Sequence, residues 1–295
     1  MKRIHRVIVV SAVWLIGGCD QLTVPDLNNP GLESLLNNPT RTAVNTAATG
    51  LIIGARVDMG DQNGYVSMLG ILGRESYNLD PADPRFITEM LIGPLQPGSP
   101  AFGGNHFAER YTNIRNANVL LGAVDKVPDL DLNPAQKSGI KGFAKTIQAY
   151  DFLRVINTRD ANGAPLDVDI STAAPPAPIA TKQEVFARIV QLLDGGATDL
   201  RAAGSAFSFP LGTGFTGFDT PAGFLKVNRA LRARVAVYLG DFAGALTALQ
   251  ASFLDPAQPL TLGAYHTYST GSGDTQNALF DPTARAINAH PSIVT

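Results

Sequence analysis

Residues 224–253, FLKVNRALRARVAVYLGDFAGALTALQASF, decide the fold. Apolar residues recur at helical spacing on both sides of Gly240-Asp241, so the stretch reads as helices over about 224–239 and 241–253. Two antiparallel helices joined by so short a turn form an αα-hairpin. The small residues after the turn, Ala243, Gly244 and Ala245, let a neighbouring helix approach closely.

Upstream, the same logic repeats. Thr181-Lys182-Gln183-Glu184 is a capping box, and Val185, Ile189, Leu192, Leu193 and Leu200 follow on one helical face. Asn133-Pro134 starts a helix to about Asn157, with Ile140, Phe143, Ala144, Ile147, Tyr150 and Leu153 on its apolar stripe. Tyr111, Ile114, Asn118, Leu121 and Val124 line a helix over 106–126. Asn38-Pro39 caps a first helix carrying Val44, Ala47, Ala48, Leu51, Ile52 and Ala55, and a second covers Tyr65 to Tyr77. Between these lie long loops: 78–105 with one helical turn, a Pro-rich stretch before Thr181, and a Gly/Phe-rich segment over 205–223. The run Tyr238 to Leu246 is similar to the tetratricopeptide pattern, although no clean 34-residue repeat runs through the chain. The expected fold class is therefore all-α, tetratricopeptide-like helical hairpins with long inserted loops.

Composition agrees. The chain has 295 residues, 45% hydrophobic and 16% charged, with 29 Gly and 20 Pro. That is enough apolar material for a core, which excludes a disordered chain. The 23 Lys and Arg against 25 Asp and Glu give a formal net charge of −2. Without a basic excess, nucleic acid is not an expected partner.

The N-terminus has its own logic. Lys2, Arg3 and Arg6 precede an apolar run from Val7 to Ile16, too short to span a hydrocarbon core of about 30 Å. It has the form of a signal-peptide core. Leu15-Ile16-Gly17-Gly18-Cys19 resembles the bacterial lipobox, whose cysteine receives the lipid. The expected organisation is a signal peptide over 1–18, a tether anchored at Cys19 over 19–38, and a helical domain over 39–295. Cleavage removes Trp14, the single tryptophan of the sequence.

Catalytic constellations are missing from the sequence. It has no His-Glu-x-x-His, Gly-x-Ser-x-Gly, Gly-x-Gly-x-x-Gly or phosphate-binding loop, and His106, His266 and His290 stand at no metal-ligand spacing. No enzyme activity, cofactor or metal is expected. Isolated histidines of this kind are ordinarily surface or hydrogen-bonded core groups.

Several segments together resemble the RagB/SusD family of nutrient-uptake outer-membrane lipoproteins. They are the Pro/Asn-rich tether Val24 to Pro30, Gly73 to Asp80, Tyr111 to Asn118, Lys141 to Arg154, Gly163-Ala164-Pro165-Leu166, and Asn228 to Asp241. The order is the family's, with Gln148 where an Arg is usual. The resemblance implies a lipid-anchored, surface-exposed protein of the cell outer membrane. It would capture an oligosaccharide or peptide and pass it to a SusC-like TonB-dependent transporter. Family members run well beyond 295 residues, so it also implies a missing C-terminal, loop-rich part. Candidate ligand-facing residues are Tyr77, Asn78, Arg85 and Phe102 in one loop, with Tyr265 and Tyr268 in another. The alternative function is a lipid-anchored helical-repeat scaffold for envelope assembly, which would use the same hairpins to bind protein.

Overall fold

Local capping sets the helix starts in the computed structural model, which describes residues 35–96, 104–169, 174–271, 274, 276–280 and 286–293. Helix α1 (Arg41–Arg56) begins at Thr40, whose hydroxyl accepts from the Ala43 amide at 3.1 Å. Asn38-Pro39 therefore leads into the helix and does not cap it. Helix α2 (Tyr65–Leu72) is shorter than its sequence period suggests. Arg74 takes a left-handed φ of 64° and turns the chain into strand β1 (Ser76–Asn78). Helix α3 spans Gly104–Val124. Helix α4 (Pro134–Arg159) starts in a capping box between Asn133 and Gln136, with Pro134 at its first position. Helix α5 (Lys182–Ala202) opens on the expected box between Thr181 and Glu184.

Helices α6 (Pro221–Tyr238) and α7 (Phe242–Gln250) form the hairpin that the quoted stretch foretells. Gly240 turns with φ 73°, a conformation that strains any residue with a Cβ. The Asp241 carboxylate then caps α7 by accepting from the Gly244 amide at 2.9 Å. Two small ribbons complete the described elements. Strand β1 pairs antiparallel with β4 (Ile287–Ala289), and β2 (Ala164–Pro165) pairs with β3 (Ile179–Ala180). The fold is all-α in its body, as the periodicity indicates.

Helix α4 is central, packed by α5, α3, α1 and α6. One core lies between α1, α3 and the first half of α4, and includes Leu51, Leu120, Ile140 and Phe143. A second surrounds the other half of α4 with α5, and includes Phe152, Ile156, Ile189 and Leu193. The Gly/Phe-rich segment joins the first core. Phe209 and Phe207 stand 5.0 and 6.1 Å from Phe143, ring to ring. That segment is a structural plug more than an exposed binding loop. The loop after β1 holds one six-residue π-helical turn (Phe86–Leu91), which buries Phe86 and Met90 against Met68 and Ile71. Among the described residues, no helix is long and apolar enough to cross a membrane. The lipobox, Cys19 and Phe102 lie outside the described residues.

Candidate functional site

Residues 264–271, 274 and 276–280 cross the end of α1 as a strap, and Arg56 is its clasp. The Arg56 guanidinium donates to the Thr267 carbonyl and to the Asp274 carboxylate. It also lies 5.4 Å over the Tyr268 ring, while the Tyr268 hydroxyl donates back to the Arg56 carbonyl at 3.2 Å. Two further bonds hold the strap: the Tyr265 amide to the Gly214 carbonyl at 2.8 Å, and the Leu279 amide to the Gly60 carbonyl at 3.1 Å. A Cβ on Gly214 would lie 2.1 Å from the Tyr265 carbonyl oxygen, so only glycine admits the strap there.

Three cavities converge on His266. One of about 180 Å³ runs beneath the strap between α4 and α6, past Tyr150, Phe215 and Leu231. A second, of about 220 Å³, opens toward α1 at Ile52 and Arg56. The largest, about 460 Å³, faces outward and is lined by His266, Tyr268, Ser269, Thr270, Gln276, Asn277 and Phe280. Hydroxyls and amides beside two aromatic rings suit a ligand rich in hydrogen-bonding groups with an apolar face.

Behind the strap, α3 and α4 bury a charged cluster. Arg110 and Arg154 are 1% and 2% exposed, and Asp151 is fully buried. Arg110 donates to Asp151 at 3.1 Å and to the Ala55 and Val57 carbonyls, and Asn113 donates to the second Asp151 oxygen at 2.7 Å. These contacts satisfy carbonyls at the α1 C-terminus that lack intrahelical partners. Arg154 donates to the Ala55 carbonyl at 2.7 Å, with its Cζ 4.8 Å over Tyr65 and 5.5 Å over Tyr150. Burial raises the Asp151 carboxyl and lowers the Arg154 guanidinium from their ordinary ranges. His266 is held neutral, its pKa lowered to about 4 by burial and then by Arg154, Arg56 and Arg110.

The candidate residues divide between two places. Tyr265 and Tyr268 sit on the strap. The Tyr265 hydroxyl donates to the Thr261 carbonyl, and the half-buried Tyr268 forms a cavity wall. Tyr77 and Asn78 lie on the β1–β4 ribbon, where the Tyr77 ring is 5.5 Å from that of His290. Asn78 is buried and accepts from the Asp80 amide at 3.0 Å. Arg85 is exposed and makes a two-point pair with Asp83 at 2.8 and 2.7 Å. Sequence reasoning set His266 aside and missed Arg56, Arg110, Asp151 and Arg154. The available signal was polar spacing: Arg110 with Asn113 and Asp151 with Arg154 stand three apart on their helices, each pair beside the apolar stripe.

No protein-family model and no curated protein sequence matches the chain. Solved structures do. A SusD/RagB family protein from Bacteroides thetaiotaomicron aligns with TM-score 0.52 and 17% identity, covering 71% of this chain and 43% of that one. A laminarin-binding SusD-like protein aligns with TM-score 0.52 and 18% identity over 70% of this chain and 42% of its own. A SusD superfamily protein from Bacteroides vulgatus gives 0.51, 13%, 73% and 44% in the same order. The chain spans less than half the length of these structures. Over the helical part that it shares with them, the chain has the SusD-like fold.

Proposed function

We propose that the chain is a lipid-anchored binding protein of the outer membrane that captures an oligomeric nutrient and hands it to a SusC-like TonB-dependent transporter. The observation that carries the reading is the outward-facing cavity of about 460 Å³ at His266 and Tyr268, set in a SusD-like fold. Its described wall residues offer hydrogen-bonding and stacking groups, which supports a reading of binding without turnover. Cys19 is the proposed lipid anchor. The ligand is an oligosaccharide or a peptide, and laminarin is the first oligosaccharide to test, because one structural neighbour binds it.

The alternative, a helical-repeat scaffold for envelope assembly, is favoured by one feature. Tyr238, Leu239, Phe242 and Leu246 leave an exposed apolar stripe on the α6–α7 hairpin. Gentle detergent extraction of the tagged full-length protein, with mass spectrometry of what co-purifies, separates the two. A roughly stoichiometric TonB-dependent β-barrel is the expected result. Recovery of assembly factors without such a transporter would replace the import reading with the scaffold.

A further inference from the structure

Buried polar atoms are nearly always hydrogen-bonded, so a group of them left without partners points to something that completes it. Such atoms gather behind the strap: Nε and Nη2 of Arg154, Nε of Arg110, Oδ1 of Asn113, and Nδ1 of His266. Arg154 is the member with the most unmet capacity. Its Nη1 is engaged by the Ala55 carbonyl, and Asp151 is 3.9 Å away with both oxygens already taken by Arg110 and Asn113. One buried positive charge is thus left short of a counter-charge, which is costly in a low-dielectric interior.

The geometry leads from that charge to the outer cavity. The Arg154 guanidinium lies against the Tyr150 ring, and the Tyr150 ring is 6.2 Å from that of His266, which forms the cavity's inner wall. The described residues lining the cavity include no carboxylate. The nearby Asp274 is engaged by Arg56 and by Ser269. None of the described wall residues carries a negative charge to repel an anion, and the charge behind them attracts one.

We propose that the cavity takes an acidic oligosaccharide, whose carboxylate sits beside His266 and is attracted by the charge of Arg154 behind the Tyr150 and His266 rings. A saccharide is preferred over a peptide because the rest of the wall, Ser269, Thr270, Gln276 and Asn277 between the Tyr268 and Phe280 rings, matches hydroxyls and a stackable ring face. The proposal rests on the binding reading above and narrows its ligand. The depressed His266 supports it: the arginines that disfavour an imidazolium also favour a carboxylate there.

The test is calorimetric titration of the intact chain at pH 7 with trigalacturonate and with its neutral methyl ester. At least ten-fold tighter binding of the acid is expected, and added salt should weaken the acid alone. In Arg154→Gln the preference for the acid over the ester should fall below three-fold. Equal binding of acid and ester by the wild-type chain overturns the proposal without needing the variant, and leaves the binding reading intact. A retained preference in folded Arg154→Gln also overturns it. A short peptide that competes as well through its C-terminal carboxylate would overturn the choice of saccharide. Failure of both sugars to bind would overturn the proposal. The transporter partnership is read separately by extraction, so its loss leaves an observed acid preference standing.

Discussion

Two buried polar clusters lie along α4, and they differ in one respect. Between α4, α5 and α6, Asn228 donates to the Thr146 hydroxyl at 2.8 Å and to the Leu193 carbonyl at 3.1 Å, and accepts from Arg229 Nε at 2.8 Å. Arg229 spends its remaining nitrogens on Asp194 and the Leu193 carbonyl, and Thr146 donates to Gly142. Asn228, Thr146 and Arg229 are all satisfied, and only Arg232, 3.5 Å from Asp194 at the margin, keeps one buried nitrogen without a partner among the described residues. Further along α4, the cluster of Arg110, Asn113, Asp151 and Arg154 is buried throughout, where Asp194 of the first is half exposed, and it keeps unpartnered atoms. A saturated network specifies how helices dock, whereas an unsaturated one beside a cavity is poised for a ligand. Among the fully buried groups, the tally of donors and acceptors distinguishes the two.

The largest effect that tests this contrast is Asp151→Asn. It strips the counter-charge from two buried arginines and should cost about 4 kcal/mol, read from urea unfolding. A loss below about 1 kcal/mol would mean that the cluster is wet and already screened. Next is a pH effect at His266, whose pKa is about 4 in the fold against an ordinary 6.5. Between those values the unfolded chain binds more protons, so stability falls as pH drops through that window and is level above it. The contribution is about 3 kcal/mol at most. His266→Gln should flatten this part of the profile, and parallel wild-type and variant curves would refute the assignment. In the saturated network, Asn228→Ala leaves Arg229 Nε without its acceptor and should cost about 2 kcal/mol, with ligand binding unchanged. Lost binding in that variant would show that the two clusters are coupled along α4.

How much of this was legible follows from where the information lies. Helices α4 and α5 were readable because Asn133, Pro134, Thr181 and Glu184 mark their starts within four residues, and their apolar stripes then keep time. The strap was not readable, because it has no period. It is held by pairs such as Arg56 with Asp274, 218 residues apart in the chain. The β1–β4 ribbon fails for the same reason, since Tyr77 meets Asn288 across most of the molecule. The buried arginines were hidden differently. Arg110 and Arg154 occupy helical positions where charge ordinarily means solvent, and only the crowding of α1, α3 and α4 puts them inside. Tyr265 and Tyr268 were found as aromatics in an irregular segment. His266 between them was discounted for standing alone in sequence, although three cavities meet at it.

The sharpest comparison uses the smallest expected change. Arg154→Met keeps an unbranched stem between Tyr65 and Tyr150 and removes the charge. The Ala55 carbonyl stays satisfied, because Arg110 also donates to it at 3.1 Å. Replacing an uncompensated buried charge by an apolar side chain of similar length should therefore shift stability by less than about 1 kcal/mol. The same change should also let the His266 pKa rise toward its ordinary value, since Arg154 is the largest charge holding it down. Following the His266 ring protons against pH by NMR reads that shift directly. A folded variant whose His266 still titrates near 4 would show that burial, with Arg56 and Arg110, depresses it without Arg154, and would remove Arg154 from the electrostatics of the cavity. A loss of several kcal/mol would instead place Arg154 with Asn228 and Arg229, as a group the fold itself requires.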